Sequence, residues 1–265
     1  MAIDPSADIH ASAVVQDGAE IGPGAVVGPF ALIGPQVRLG AGVVVKSHAV
    51  ITGDTEIGED SVVFSFSSIG EIPQDLKFQG EDTRLVIGKR NRIREHVTMN
   101  TGTQGGGGVT RIGDDCLFMA GCHVAHDVQI GNGVIVVNNA ALAGHCVIED
   151  DVIIGGLSGI HQFVRIGRGA IIGAVSMVAA DVLPFGLVQG PRGELDGLNL
   201  VGLKRRGVDR ADITALRAAF LMLKQGEGTF QDRANRLQEE SDSDYVREMV
   251  AFILGESDRG FLTPS

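Results

Sequence analysis

A chain of 265 residues, 44% of them hydrophobic, is long and apolar enough to bury one or two cores, which argues against disorder. Glycine, at 38 residues, is about twice as frequent as usual, tryptophan is absent and aromatics make up 5%, so the composition suits thin layers and many tight corners rather than a bulky aromatic core. The formal charge of −11 argues against a general nucleic-acid binder, although basic runs occur at Lys89–Arg94 and Lys204-Arg205-Arg206.

The start of the chain carries neither a basic segment nor an apolar stretch of signal-peptide length. No run approaches the roughly 20 apolar residues that span a bilayer. Cys116, Cys122 and Cys146 are an odd number without paired spacing, which points away from a disulfide framework and from a cysteine zinc site. The expectation is a cytoplasmic protein with no transmembrane segment.

From Ile9 to Ile69 every sixth residue is aliphatic. The register lapses at Asp75 and Glu81, resumes at Ile87, Ile93 and Met99, and breaks again in the glycine-rich stretch 101–109. It restarts one residue out of phase at Ile112 and runs to Val178. A period of six fits neither a helix of 3.6 residues per turn nor an ordinary alternating strand. It predicts a mainly β fold, a parallel β-helix over 1–189 in which three short strands form a triangular coil of 18 residues; hexapeptide prisms of this class wind left-handed, so the expectation is a left-handed parallel β-helix. Glycine or a small polar residue turns each corner, and coils stack about 4.8 Å apart. Loops leave this prism at about 71–84 and 101–109. From 190 to 265 the spacing turns helical and predicts a small α-helical C-terminal domain. Asp209 or Asp212 opens one helix, Thr229 a second with Asp232 as a near capping box, and Ser241 or Asp242 a third.

The 18-residue coil converts sequence into neighbourhood. Val124, Leu142 and Ile160 stack on one wall. His126, Gly144 and Gln162 then adjoin in three successive coils, and Asp127, His145 and Phe163 form the next column. His161 lies beside Gln162, and His123 lies just across Val124 from His126. A lone corner histidine such as His10 or His48 is best read as structural. Clustered titratable groups beside an acid mark a functional site. Two chemistries fit. His126 acts as a neutral general base oriented by Asp127, with the Gly144 N–H facing a developing oxyanion. Alternatively, histidines from adjacent subunits bind zinc. A non-catalytic sugar-nucleotide or carrier-protein binding module is a third reading.

Ile69-Gly70-Glu71 followed by Gln74-Asp75-Leu76-Lys77, Arg92-Ile93-Arg94-Glu95, His123 to Asp127, Leu142 to His145 and Ile160 to Phe163 form a recognisable set. With Asn199 and Gly202 to Gly207 added, the chain resembles, over essentially its full length, the hexapeptide-repeat family of UDP-N-acetylglucosamine O-acyltransferases that opens lipid A biosynthesis. The resemblance implies a homotrimer with sites between prisms. It implies transfer of a 3-hydroxyacyl chain from acyl carrier protein to the glucosamine 3-position, with no cofactor and no metal. His126 becomes the base, Asp127 its orienting acid and Gly144 the oxyanion contact. Asp75 and Lys77 reach the sugar nucleotide. His123, His145, His161 and Gln162 line the pocket, and Asn199 and Arg205 contact the nucleotide and its phosphates. Departures from the family pattern occur at Asn100, which bears on hydroxyl against amine acceptors, and at Ala174, which bears on acyl-chain length. Val201 and Arg192 depart from it near the nucleotide.

Overall fold

The computed structural model describes residues 2–264. The six-residue repeat folds as a left-handed triangular prism with three parallel sheets of 9, 11 and 9 strands as its walls. Most strands are two residues long, and in each pair the second side chain points inward. In His123–Val124, for example, Val124 is buried and His123 is only half-buried. The inward aliphatics stack coil on coil, as Val124 pairs with Leu142 and Leu142 with Ile160. Each such buried side chain contributes about 1.5–3 kcal/mol, so the six-residue spacing is the fold's main source of stability.

Corners are turned by residues in the left-handed backbone region. One corner column contains Phe30, His48, Phe66, His96, Asn139, Leu157 and Val175, all at positive φ. Its rings form a ladder, with centroids 5.1 Å apart and tilted for Phe30–His48, and stacked at 5.1 Å for His48–Phe66 and 5.3 Å for Phe66–His96. His48 is thus a structural residue of this ladder.

Both lapses in the repeat are excursions from the prism. The strand Ser68–Glu71 is followed in its sheet by Thr98–Asn100, and that by His123–Val124. The first loop leaves after Glu71 and returns at Arg84. The second leaves after Asn100, makes a 3-10 turn at Gln104–Gly106 and returns at Val109.

The chain departs from the helical expectation just beyond 190. Gly186–Gln189 continues the second sheet in parallel, and Glu194–Leu198 folds back antiparallel on it. The helices begin only at α1 (Leu200–Arg205), which the six-residue and helical periodicities alike pass over because it is short. Its N-cap is Asn199, whose side chain accepts the Gly202 N–H. α2 (Arg210–Gln225) starts after Asp209, which makes no side-chain cap. α3 (Phe230–Glu240) starts with the Thr229–Asp232 capping box formed in both directions. α4 (Asp244–Leu254) has Ser243, not Ser241 or Asp242, at its N-cap position, with no side-chain cap hydrogen bond. Ser243 is held there because its hydroxyl donates to Asp212 on α2 at 2.8 Å. The helices bury Leu216, Leu223, Leu237, Met249 and Ile253. They dock on the prism through Arg168, which pairs with Glu248 and lies over the Phe185 and Tyr245 rings. Among the described residues no helix is long and apolar enough to cross a membrane.

Candidate active site

The corner that joins the third sheet to the first carries Asp127, His145 and Phe163, each held at a φ of 62° to 65°. Side chains other than glycine pay for this conformation, and such strain is kept where the surroundings over-determine it. Here the surroundings are the coils themselves. The His145 N–H donates to the His126 carbonyl and the Phe163 N–H to the Gly144 carbonyl, both at 3.1 Å.

His126 and Asp127 are 5% and 4% exposed, a buried polar pair in an otherwise aliphatic wall. The His126 Nδ1 lies 2.8 Å from Asp127 Oδ2. The carboxylate also takes the Thr103 hydroxyl on Oδ2 at 2.6 Å and the Thr103 N–H on Oδ1 at 2.8 Å. With both of its oxygens accepting, the Asp127 carboxylate accepts a hydrogen bond from Nδ1–H, which leaves the His126 Nε2 lone pair free. The Asp127 N–H donates to the Thr110 hydroxyl at 2.8 Å. Thr103 was invisible to the six-residue repeat because the second loop, which interrupts it, brings it in, while Thr110 sits on the strand Val109–Ile112 by which the chain rejoins the prism. The same loop must approach closely: a Cβ on Gly106 would lie 2.1 Å from the Asp127 carboxylate carbon.

Gly144 sits against the His126 ring. A Cβ there would lie 2.5 Å from Cε1 and 2.7 Å from Nε2, so only glycine leaves the imidazole its position. Among the described residues its N–H meets no backbone acceptor. His145 stands edge-on to His126, with centroids 5.0 Å apart and planes at 85°, and stacks on Phe163 at 4.5 Å and 2°. Burial pulls the His145 pKa below its usual range, against the opposing pull of Asp127. Burial does the same to His123, helped by His126. His123 Nδ1 lies 2.8 Å from the Thr98 hydroxyl.

A cleft of about 290 Å³ opens beside this corner, lined by Asp75, Lys77 and Phe78 from the first loop, Gln104 from the second, and His145 and Phe163 from the prism. The Asp75 carboxylate accepts the Lys77 N–H at 3.0 Å and so shapes the loop that presents both. Within one chain the structure therefore brings together Asp75, Lys77, His123, His126, Asp127, Gly144 and His145. His161 and Gln162 follow in the next coil and are exposed. The other residues lie apart. Asn199 is 7% exposed, with its side chain spent on capping α1 and on the Gly169 carbonyl. Arg205 and Val201 are exposed on α1, and Arg192 is exposed at the hairpin turn. Ala174 is exposed beside Val175 in the aromatic corner column. Asn100 is 3% exposed and lies beneath the first loop, where its Nδ2 donates to the carbonyls of Glu71 and Ile72 at 3.3 and 2.8 Å.

His126, Asp127 and His145 offer three ligand atoms within 4.8 Å of one another, close enough for a metal ion. His126 Nδ1 and Asp127 Oδ2 are hydrogen-bonded to each other, and Oδ2 also accepts the Thr103 hydroxyl.

Known proteins match this geometry. The second-domain signature of UDP-N-acetylglucosamine O-acyltransferase covers residues 181–262, and the six-repeat bacterial transferase hexapeptide signature covers 18–53 and 110–144. The chain is 72% identical over 203 residues to the acyl-[acyl-carrier-protein]–UDP-N-acetylglucosamine O-acyltransferase of Paracoccus denitrificans, which is 77% of each chain. It is 47% identical over 264 residues to the enzyme of that name from Rhizobium etli, covering 99% of this chain and 97% of the relative. The solved UDP-N-acetylglucosamine acyltransferase from Campylobacter jejuni superposes with a TM-score of 0.91 at 41% identity, over 97% of this chain and 100% of that one.

Proposed function

This chain belongs to the UDP-N-acetylglucosamine O-acyltransferase family, and we propose that His126, with Asp127 behind it, is the base that drives its acyl transfer. The reaction moves a 3-hydroxyacyl chain from acyl carrier protein to the glucosamine 3-position of UDP-N-acetylglucosamine, the first step of lipid A biosynthesis. The observation that carries the role is the 2.8 Å contact between His126 Nδ1 and Asp127 Oδ2. It fixes the tautomer in which Nε2 is an acceptor.

The chemistry follows from the atoms present. The sugar hydroxyl oxygen bonds to the thioester carbonyl carbon while its proton passes to His126 Nε2. The carbonyl oxygen becomes an oxyanion against the free Gly144 N–H. The carbon–sulfur bond then breaks, and His126 returns the proton to the departing pantetheine thiol. General base catalysis of this kind is worth roughly 10²–10⁴-fold in rate, and an aligned oxyanion donor about 10²–10³-fold. With Nδ1 committed to Asp127, Nε2 is the His126 nitrogen left to take the proton.

Asp75 and Lys77 hold the sugar nucleotide from the first loop, with His123, His145, His161 and Gln162 on the prism side. A cleft of about 290 Å³ in one chain lies at the small end of the about 300–1,000 Å³ range for small-molecule sites, and a UDP-sugar with an acyl donor needs more. A neighbouring subunit completes it. A homotrimer is supported by the apolar corner seam, where Phe30, Phe66, Leu157 and Val175 are 54–65% exposed with Met177 next to them. Exposed apolar area of this kind is normally covered in an assembly. In the trimer Arg205 serves a neighbour's nucleotide from the helix that Asn199 caps, and Ala174 limits the acyl chain. Asn100 bears on the acceptor through the loop it holds. The enzyme works in the cytoplasm, where the three buried thiols of Cys116, Cys122 and Cys146 stay free.

The test is purified protein supplied with 3-hydroxyacyl carrier protein and UDP-N-acetylglucosamine. Wild type forms the O-acylated sugar nucleotide. His126→Ala lowers kcat by about 10²–10⁴-fold with the melting temperature retained. Near-normal turnover of the variant would remove His126 from the mechanism.

A further inference from the structure

After α4 the chain runs as an extended strap over the last coils, organised on one fully buried acid, Asp181. The Asp181 carboxylate accepts from Arg165 Nε at 2.7 Å, from the Arg165 N–H at 2.8 Å and from the Ser257 hydroxyl at 2.7 Å. The Asp181 N–H donates to the Gly260 carbonyl at 2.8 Å, and its carbonyl accepts the Leu262 N–H at 2.9 Å. Ser257 Oγ also accepts the Arg259 N–H at 3.0 Å. Held at these points, the strap carries the Arg259 side chain to the edge of the candidate active site. There the guanidinium donates twice, from Nε to the Gln162 carbonyl at 3.0 Å and from Nη2 to His161 Nδ1 at 2.8 Å.

We propose that Arg259 is a positioning residue for the acyl-transfer site, holding His161 in the tautomer that carries its proton on Nε2, so that His161 meets the sugar nucleotide as an N–H donor. A guanidinium has donors and no lone pair, so the Nδ1 it contacts is an acceptor and the proton of the neutral ring sits on Nε2. The competing arrangement is present in the same place. His161 Nδ1 lies 3.3 Å from the Gln162 carbonyl, and an Nδ1–H would donate to it. Arg259 blocks that alternative from both sides, by occupying the carbonyl and by donating to the nitrogen. Two histidines of one site thus receive opposite roles from what stands behind Nδ1. An acid behind His126 makes Nε2 an acceptor for the substrate proton. A guanidinium behind His161 makes Nε2 a donor that does not compete for that proton. The inference rests on the proposed placement of His161 against the sugar nucleotide.

Steady-state kinetics of Arg259→Met and Arg259→Lys, together with ¹⁵N spectra of histidine-labelled protein, test it. Arg259→Met raises the KM for UDP-N-acetylglucosamine roughly three- to ten-fold, the worth of one neutral hydrogen bond, with kcat retained, and the His161 Nδ1 signal moves from unprotonated to protonated. Lysine does not restore the wild-type KM, since one ammonium does not reproduce the two-pronged geometry. Ser257→Ala, which loosens the strap that carries Arg259 without removing the guanidinium, raises the KM by less than Arg259→Met does. The double variant with His161→Ala is no worse than His161→Ala alone. A wild-type KM in Arg259→Met beside an impaired His161→Ala overturns the role of Arg259 alone, as do additive effects or an unmoved Nδ1 signal. Wild-type kinetics in His161→Ala overturns the placement of His161 as well.

Discussion

The His126 imidazole is held at Nδ1 by its neighbour Asp127 and lies against the bare backbone of Gly144, while Thr103, 24 residues away in sequence, stands behind the acid. Thr103 does for Asp127 what Asp127 does for His126, since two donors from one residue fix both carboxylate oxygens. Thr103→Val keeps the shape and the backbone N–H and removes only the hydroxyl. A hydrogen bond to a charged group is worth about 1.5–3 kcal/mol, so kcat falls roughly 10- to 100-fold if the loss is felt in the transition state. The check is kcat measured beside a melting curve, and an unchanged kcat would show that the backbone donor alone orients the acid. The columns His126–Gly144 and Asp127–His145–Phe163 were legible from the 18-residue period. Thr103 was not, because an irregular loop has no period from which to read its partner.

Among the elements, the first loop is the one that the prism must hold and yet let stand clear. Its base is fastened by Asn100, which donates to the carbonyls of Glu71 and Ile72, while Leu76 at its tip is fully exposed. Asn100→Ala leaves two carbonyls without that donor at a cost of about 1–3 kcal/mol. The melting temperature falls and the KM for UDP-N-acetylglucosamine rises, because Asp75 and Lys77 ride on this loop. A lower melting temperature with an unchanged KM would separate the loop's fastening from substrate binding. At the other end of the chain, the Thr229–Asp232 box was readable because capping is a local rule of residue spacing. α1 and the start of α4 were not. α1 is too short to show a periodicity, and Ser243 is set at the N-cap position by its contact with Asp212, 31 residues away in sequence.

For the whole molecule, the prism exposes an apolar corner at Phe30, Phe66, Leu157 and Val175, which the proposed homotrimer would cover. Sedimentation should give a species three times the 27.7 kDa chain. Leu157→Glu puts a charge into the seam. It should yield monomers that keep their β-helical circular dichroism and lose activity with His126 intact. A trimer that survives this change would place the interface on another face.

The amino-acid sequence alone determined the prism, its 18-residue coil, the two excursions and the column that sets Gly144 against His126. These follow from a strict period, and a solenoid's neighbours along its axis are a fixed number of residues apart. Tertiary structure decided what the period does not address. It brought Thr103 to Asp127 from a glycine-rich loop, used Asn199 as a helix cap, put Asn100 beneath a loop, and laid Arg259 against His161 from 98 residues away. Each of these depends on polar groups finding partners outside the repeat, where hydrogen-bond geometry replaces hydrophobic spacing as the organising force.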